Sequence, residues 1–364
     1  MTARLTDTAD HYGTIVAGAG PAGVLAALGA AARGSVLLVD SSPLPRDKSC
    51  GGMLNEYAQE FLTSFGDVPE SMVLSPRYVN FRYVDWDRGI RKPTELRFLN
   101  VDRMQFDEWL VGLLPENVTL LPSTAVVGFS DGTESVSVQL KSAGENRTVG
   151  CLNLVGADGA RSNVRRMLGI GSVATYVTLQ DFCRLDGEIE PYFDCIYMRG
   201  IGDCFAYSYV VPKGDVAIVG SVYYPKTHRP HEKQTLTLES LRAQIPQLKE
   251  SVKREAWVAL SVRAASDVVH GRGRVLLAGE AGGFMSPTSG EGISYALNSG
   301  MLAGQAIANH APEEALAAYI TSSAHISANI RRKLKWLPFM ESSAGKYLAG
   351  FVPTPLVSKV TKGL

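Results

Sequence analysis

Glycines at 18, 20 and 23 form a Gly18-x-Gly20-x-x-Gly23 run between a β-branched stretch (residues 13–18) and an Ala/Leu-rich one (residues 21–33). That pattern suits the phosphates of a dinucleotide. Gly18 permits the tight turn out of a strand, Gly20 lets the backbone approach a pyrophosphate, and Gly23 allows the helix to pack closely on the strand. Pro21 and Ala22 fall in the first turn of the expected helix, where proline's missing N–H does no harm and the other amides face an anion. Asp40, about 20 residues on, ends a second apolar run (residues 35–40) and is placed, with Ser41, to hold ribose hydroxyls. No basic residue adjoins Asp40 in sequence, which disfavours a 2′-phosphate. The expected ligand is FAD or NAD(H) before NADPH.

A second constellation lies in residues 274–300: a strand, then Gly279-Glu280, a loop with Pro287, and Gly290-Glu291-Gly292-Ile293 opening a helix. A second helix N-terminus beside the first suits an isoalloxazine ring, because its dipole and amides stabilise the negative charge that forms at N1–C2=O on reduction. Between the two lies Gly156-Ala157-Asp158-Gly159-Ala160-Arg161-Ser162. Together these motifs resemble the p-hydroxybenzoate-hydroxylase-type flavoproteins, and the resemblance, over roughly residues 12–310, implies bound FAD. It places Asp158 and Gly159 at the cofactor, and also Arg103, since Arg103-Met104-Gln105-Phe106-Asp107 is similar to the family's RxxFD helix. Val126, in a strand expected over residues 124–129, is grouped with them. Glu280 departs from the family pattern, which has an Asp bonding a ribityl hydroxyl.

Within that group the chain resembles the geranylgeranyl-reductase family more closely. Lys48-Ser49-Cys50-Gly51-Gly52 is similar to its K-x-C-G-G loop. Residues 207–214 are similar to its Y-x-W-x-F-P-x-G motif, with Tyr209 and Val211 replacing Trp and Phe. Residues 287–293 are similar to its P-x-T/S-G-E-G-I turn. The resemblance implies reduction of a C=C bond in a hydrophobic, isoprenoid-like substrate, with Lys48, Cys50, Gly51 and Gly52 at the flavin. NAD(P)H or a reduced ferredoxin-like partner is the expected electron donor. Cys50 is a candidate proton donor, since a thiol with an unperturbed pKa near ~8.5 is mostly protonated at neutral pH; the bland alternative is a small residue needed for loop packing. Tyr207 and Tyr209, two apart on a strand, share a face. They line the substrate pocket or belong to the core of the sheet. The runner-up function is a flavin monooxygenase acting on a small hydrophobic or aromatic substrate. A protein that holds FAD structurally or as a redox sensor is the third. No WxWxIP motif supports a halogenase, for the four tryptophans are isolated.

These residues need a scaffold of strands and helices to hold them. Strands are expected over residues 118–121, 124–129, 135–140, 151–155 and 274–279, and helices over 101–114, 236–249, 291–310 and 313–334. Residues 175–224, rich in Tyr, Val, Phe and Ile, suggest an antiparallel sheet, and 226–235 a polar linker. The expected fold is α/β. A Rossmann-like FAD-binding domain with a mixed parallel sheet takes residues 1–75, 96–170 and 266–325; an inserted antiparallel substrate domain takes 76–95 and 171–265; a helical C-terminal tail takes 326–364. The 364 residues carry 36 basic and 36 acidic side chains. A zero balance argues against a general nucleic-acid binder. Five cysteines without a CxxC pair suit a reducing, cytoplasmic setting. His228 and His231 are read as a solvated loop, and no metal is expected. No signal peptide or bilayer-spanning run is expected. The basic and apolar tail suggests either a peripheral membrane contact or, as preferred, a helix with lysines in solvent. Oligomeric state is not legible.

Overall fold

The computed structural model describes residues 4–46, 48–198, 204–349, 351–353, 355 and 364. Its first sheet runs Gly271–Arg272, Val275–Leu277, Glu145–Gly156, His11–Ala17, Val36–Val39, Val118–Leu121. The last five strands pair in parallel. Thr124–Asp131 and Val136–Ser142 extend it antiparallel from Glu145–Gly156. Val36–Val39 is buried at every position, as a parallel strand covered on both faces must be. Helix Pro21–Ala30 connects His11–Ala17 to Val36–Val39, completing the strand–glycine turn–helix–strand unit. Helix Ile293–Asn309 lies parallel against it: a Cβ on Gly300 would fall 2.1 Å from the Ala22 carbonyl oxygen, and one on Gly304 2.3 Å from that of Ala26. Glycine permits this approach, which brings both helix N-termini to one cleft.

The second sheet runs Leu248–Leu260, Thr175–Leu185, Val216–Tyr223, Cys204–Lys213, Tyr192–Tyr197, Val73–Asp85, Ile90–Val101, Met53–Leu54. It is antiparallel except where Tyr192–Tyr197 meets Val73–Asp85. Strand alternation splits its side chains between two faces. Val210 and Val219 pack with Leu238 and Leu241 of helix Pro230–Gln244; Tyr209, Val211 and Ile218 form a separate cluster. The α/β fold with an antiparallel second sheet is thus the one the motifs imply. Among the described residues no helix is long and apolar enough to cross a membrane.

Two expectations change, and one feature is new. The helix expected over residues 236–249 starts at Pro230, inside the supposed linker, and ends at Gln244. Ile245 leaves helical geometry at φ −121° and ψ 82°, because Pro246 crowds the residue before it. Leu248–Leu260 is then a strand, disguised by the charges that an edge strand carries on its exposed side. The long helix expected over residues 313–334 is two, Ala315–Ser322 and Ala324–Leu334, meeting at Ser323. Finally, Val73–Asp85 and Ile90–Val101 form a long hairpin that no motif announced.

Candidate active site

A cleft of about 1100 Å³ is walled by both sheets and both helix N-termini. The nominated cofactor residues reach its wall except Gly23 and Pro287, as do Cys50 and Tyr209. Gly23 serves packing instead, since a Cβ there would fall 1.6 Å from the Gly18 carbonyl oxygen. Pro287 is buried. Tyr207 lies in Cys204–Lys213, but its side chain is outside the described residues.

At the glycine turn, Gly18 adopts φ +100°, a region L side chains avoid. A Cβ there would also fall 2.4 Å from the Ala157 carbonyl oxygen, so the turn and the middle motif are packed back to back. Asp40 braces the same turn: its carboxylate accepts the Ala19 N–H at 2.7 Å and the Ser42 N–H at 2.8 Å. Arg46, not singled out in the sequence, reaches over it. Its guanidinium lies 2.7 Å from where a Gly20 Cβ would stand, donates to Asp107 at 2.6 Å, and sits 3.9 Å from Asp40. A base therefore does stand beside Asp40, delivered by the fold of the 41–53 loop. The Arg46 Nε is buried without a hydrogen-bond partner. A glycine turn bare of side chains, uncapped first-turn amides and a guanidinium with an unused donor fit the diphosphate of FAD.

Asp107 links this end to Cys50. It accepts from Arg46 and from the Arg103 Nε at 2.8 Å. Burial pushes its carboxyl up, but the two guanidiniums outweigh that and hold it below the usual range. Burial likewise pushes the Cys50 thiol up, while Arg103, the Gly52 N–H and Lys48 together pull it down further. The Gly52 N–H donates to the sulfur at 3.4 Å. The unperturbed thiol expected from sequence is thus corrected to one whose anion is stabilised, because the tertiary structure seats Arg103 beside it.

The loop around Cys50 is held on several sides. Met53–Leu54 pairs with Leu99 and Asn100. Lys213 is buried and donates to the carbonyl oxygens of Gly52 at 3.1 Å and Val101 at 3.0 Å. Glu280, rather than reaching outward, accepts from Lys48 at 2.9 Å and from the Leu260 N–H at 3.3 Å. Its extra methylene fastens the Cys50 loop and the second sheet to the Gly279 turn. Burial raises the Glu280 carboxyl, and Lys48 and Arg103 bring it below the usual range.

Two carboxylates expected at the cofactor cap helices instead of pointing free. Asp158 accepts the N–H groups of Asn163 at 2.7 Å and Val164 at 3.2 Å, at the start of helix Asn163–Met167. Glu291 accepts the Ser294 N–H at 2.8 Å and the Ser294 hydroxyl at 2.7 Å. One first-turn amide of Ile293–Asn309 is therefore already taken. Burial keeps the Glu291 carboxyl above its usual range. Gly290, at φ +66° with no atom within 4 Å of its Cβ position, leaves that rim of the cleft open.

The opposite wall is aromatic. Tyr209 stacks on Phe193 with centroids 5.2 Å apart, and Phe193 stacks on Phe81 at 5.9 Å. Gln180 donates to the Tyr209 hydroxyl and accepts from Ser49 at 2.5 Å, tying this wall to the Cys50 loop. Tyr209 thus both lines the pocket and belongs to a packed cluster. Phe81, Phe193 and Gln180 escaped sequence reasoning because three separate strands bring them together and no spacing marks them. For Arg46 the available signal was a lone arginine in the loop that follows Asp40.

Residues 115–334 match the family model described as FAD binding domain. Protein CbrA of Shigella dysenteriae serotype 1 (strain Sd197) is 29% identical over 331 residues, covering 89% of this chain and 91% of that protein. A geranylgeranyl bacteriochlorophyll reductase-like protein from Thermoplasma acidophilum superposes with a TM-score of 0.80 at 19% identity, over 98% of this chain and 92% of its own. The anhydrotetracycline hydroxylase OxyS from Streptomyces rimosus does so with a TM-score of 0.70 at 22% identity, over 96% and 76%. These two structures share the fold.

Proposed function

The chain belongs to the FAD binding domain family, and from that premise we propose that this FAD-dependent oxidoreductase reduces a C=C bond of a hydrophobic, isoprenoid-like substrate. The observation that carries the reading is the placement of a thiol, Cys50, between the glycine-rich turns and an apolar aromatic wall of one cleft. Reduced flavin, when bound, supplies hydride to one alkene carbon. The glycine turn with Arg46 would hold the diphosphate, and the 290–292 turn would meet the ring. Phe81, Phe193 and Tyr209 shed water from the substrate and lay its unsaturated chain flat. Cys50 gives its proton to the second carbon, so that hydride and proton together convert C=C to CH–CH. Arg103 and the Gly52 N–H stabilise the thiolate left behind, and solvent reprotonates it. Electrons come from NAD(P)H entering the cleft transiently or from a ferredoxin-like protein; the chain has no second Gly-x-Gly-x-x-Gly.

The test is anaerobic. With bound flavin photoreduced, a prenyl alkene should restore the oxidised flavin absorbance and yield a product heavier by two hydrogens. The fold shared with a hydroxylase supports a second reading, monooxygenation. If the flavin reoxidises only with oxygen, and the product gains one oxygen atom, that reading replaces the first.

A further inference from the structure

Helix Ala324–Leu334 was assigned from sequence largely to a C-terminal tail, yet it carries a lysine that is only 2% exposed, Lys333. Its Nζ donates to the Ser286 hydroxyl at 3.2 Å and to the Tyr295 hydroxyl at 3.0 Å. The Tyr295 hydroxyl in turn donates to Asn329 Oδ1 at 2.7 Å, on the same helix as Lys333. Ser286 and Tyr295 flank the turn that brings Ser289, Gly290, Glu291 and Gly292 to the cleft. Within that turn the Gly290 N–H donates to the Ser286 carbonyl at 3.0 Å, and the Ser286 N–H to that of Glu291 at 2.9 Å. One ammonium thus grips both ends of the rim that would meet the flavin.

Burying an ammonium is costly and persists where its hydrogen bonds are met. Burial lowers Lys333 to about 8, the Glu291 carboxyl opposing that and Arg332 adding to it. At neutral pH it is still mostly charged.

We propose that Lys333 is a positioning residue for the cofactor: it pins the 286–292 turn to the C-terminal helices and places a positive charge behind the rim where reduced flavin would develop its negative charge. This rests on the FAD reading of the cleft. It also makes the C-terminal helices part of the cofactor site.

The experiment compares wild type with Lys333→Met, Lys333→Arg and Tyr295→Phe in the full chain. Apo protein is titrated with FAD by flavin fluorescence, and the potential of the bound flavin is read against a reference dye. Lys333→Met should weaken FAD binding at least tenfold and make the potential more negative. Lys333→Arg should restore the potential. Tyr295→Phe should weaken binding while leaving the potential near wild type, because the charge remains. A folded Lys333→Met that matches wild type in both readings overturns the inference alone. Should Lys333→Met not fold, a Tyr295→Phe protein that binds FAD as wild type does overturns it instead. A wild type that takes up no FAD overturns the reading of the cleft, and this inference with it.

Discussion

Replacing Gly220 by alanine tests whether the aromatic wall is built as described. Gly220 faces Tyr209 across the antiparallel pair Cys204–Lys213 and Val216–Tyr223. A Cβ there would lie 2.1 Å from Tyr209 Cζ and 2.4 Å from its hydroxyl oxygen. The ring must retreat by roughly 1.4 Å to reach van der Waals distance. Its retreat pulls the hydroxyl from Gln180 and slides the ring off Phe193. Losing a buried hydrogen bond costs about 1–3 kcal/mol, and disturbing an aromatic pair about 0.5–1.5 kcal/mol. Where alanine fits, Gly→Ala stabilises by about 0.4–1 kcal/mol through the unfolded chain. The net expectation is a loss of about 2 kcal/mol, opposite in sign to an unhindered site. Urea denaturation of the FAD-loaded protein measures it. Tyr209→Ala on the Gly220→Ala background removes the obstruction, so the double variant should fall short of the sum of the single losses. A Gly220→Ala protein at least as stable as wild type would refute the packing argument.

Gly20→Val should abolish FAD binding, because a β-branched side chain collides with the Arg46 guanidinium and keeps the backbone of the turn from approaching a diphosphate; a yellow, fully loaded variant would contradict the assignment of the glycine turn. Cys50→Ser should retain FAD but slow alkene reduction at least tenfold, whereas unchanged turnover returns Cys50 to loop packing. The rate of Cys50 alkylation in apo protein should reach half-maximum at a lower pH than that of an ordinary exposed thiol, and Arg103→Met should move that midpoint upward; an unmoved midpoint means that Arg103 does not stabilise the thiolate. Burial lowers Lys213 to about 7 from an ordinary 10.5. The folded protein then binds fewer protons than the unfolded chain between those values, so its stability rises with pH across that window. Lys213→Met should lose this rise, which denaturation at several pH values will show.

What residue order alone determined is local. The Gly18–Gly23 spacing, the proline at the head of the helix and the acid ending the next strand are consecutive features of one chain segment, and they folded as a unit. So did the 279–293 segment, whose glycines and helix start are neighbours in sequence. Fold class and cofactor class follow from such runs. Steric rules of turns and helix ends act over a few residues and leave a pattern that can be read directly.

Contacts between distant segments left no such pattern. Glu280 turned to Lys48, 232 residues away in sequence, and its departure from aspartate does not by itself say where the longer side chain goes. Arg103 reached Cys50 only once its helix packed beside the loop, and that lowered the pKa of a thiol expected to be unperturbed. Leu248–Leu260 hid as a strand because its charges belong to an exposed edge, a property of its place in the sheet. Lys333 was one basic residue in a basic stretch until the fold buried it under the 286–292 turn. Electrostatic shifts and burial depend on distances through space, and those distances are set when the two sheets and the C-terminal helices come together.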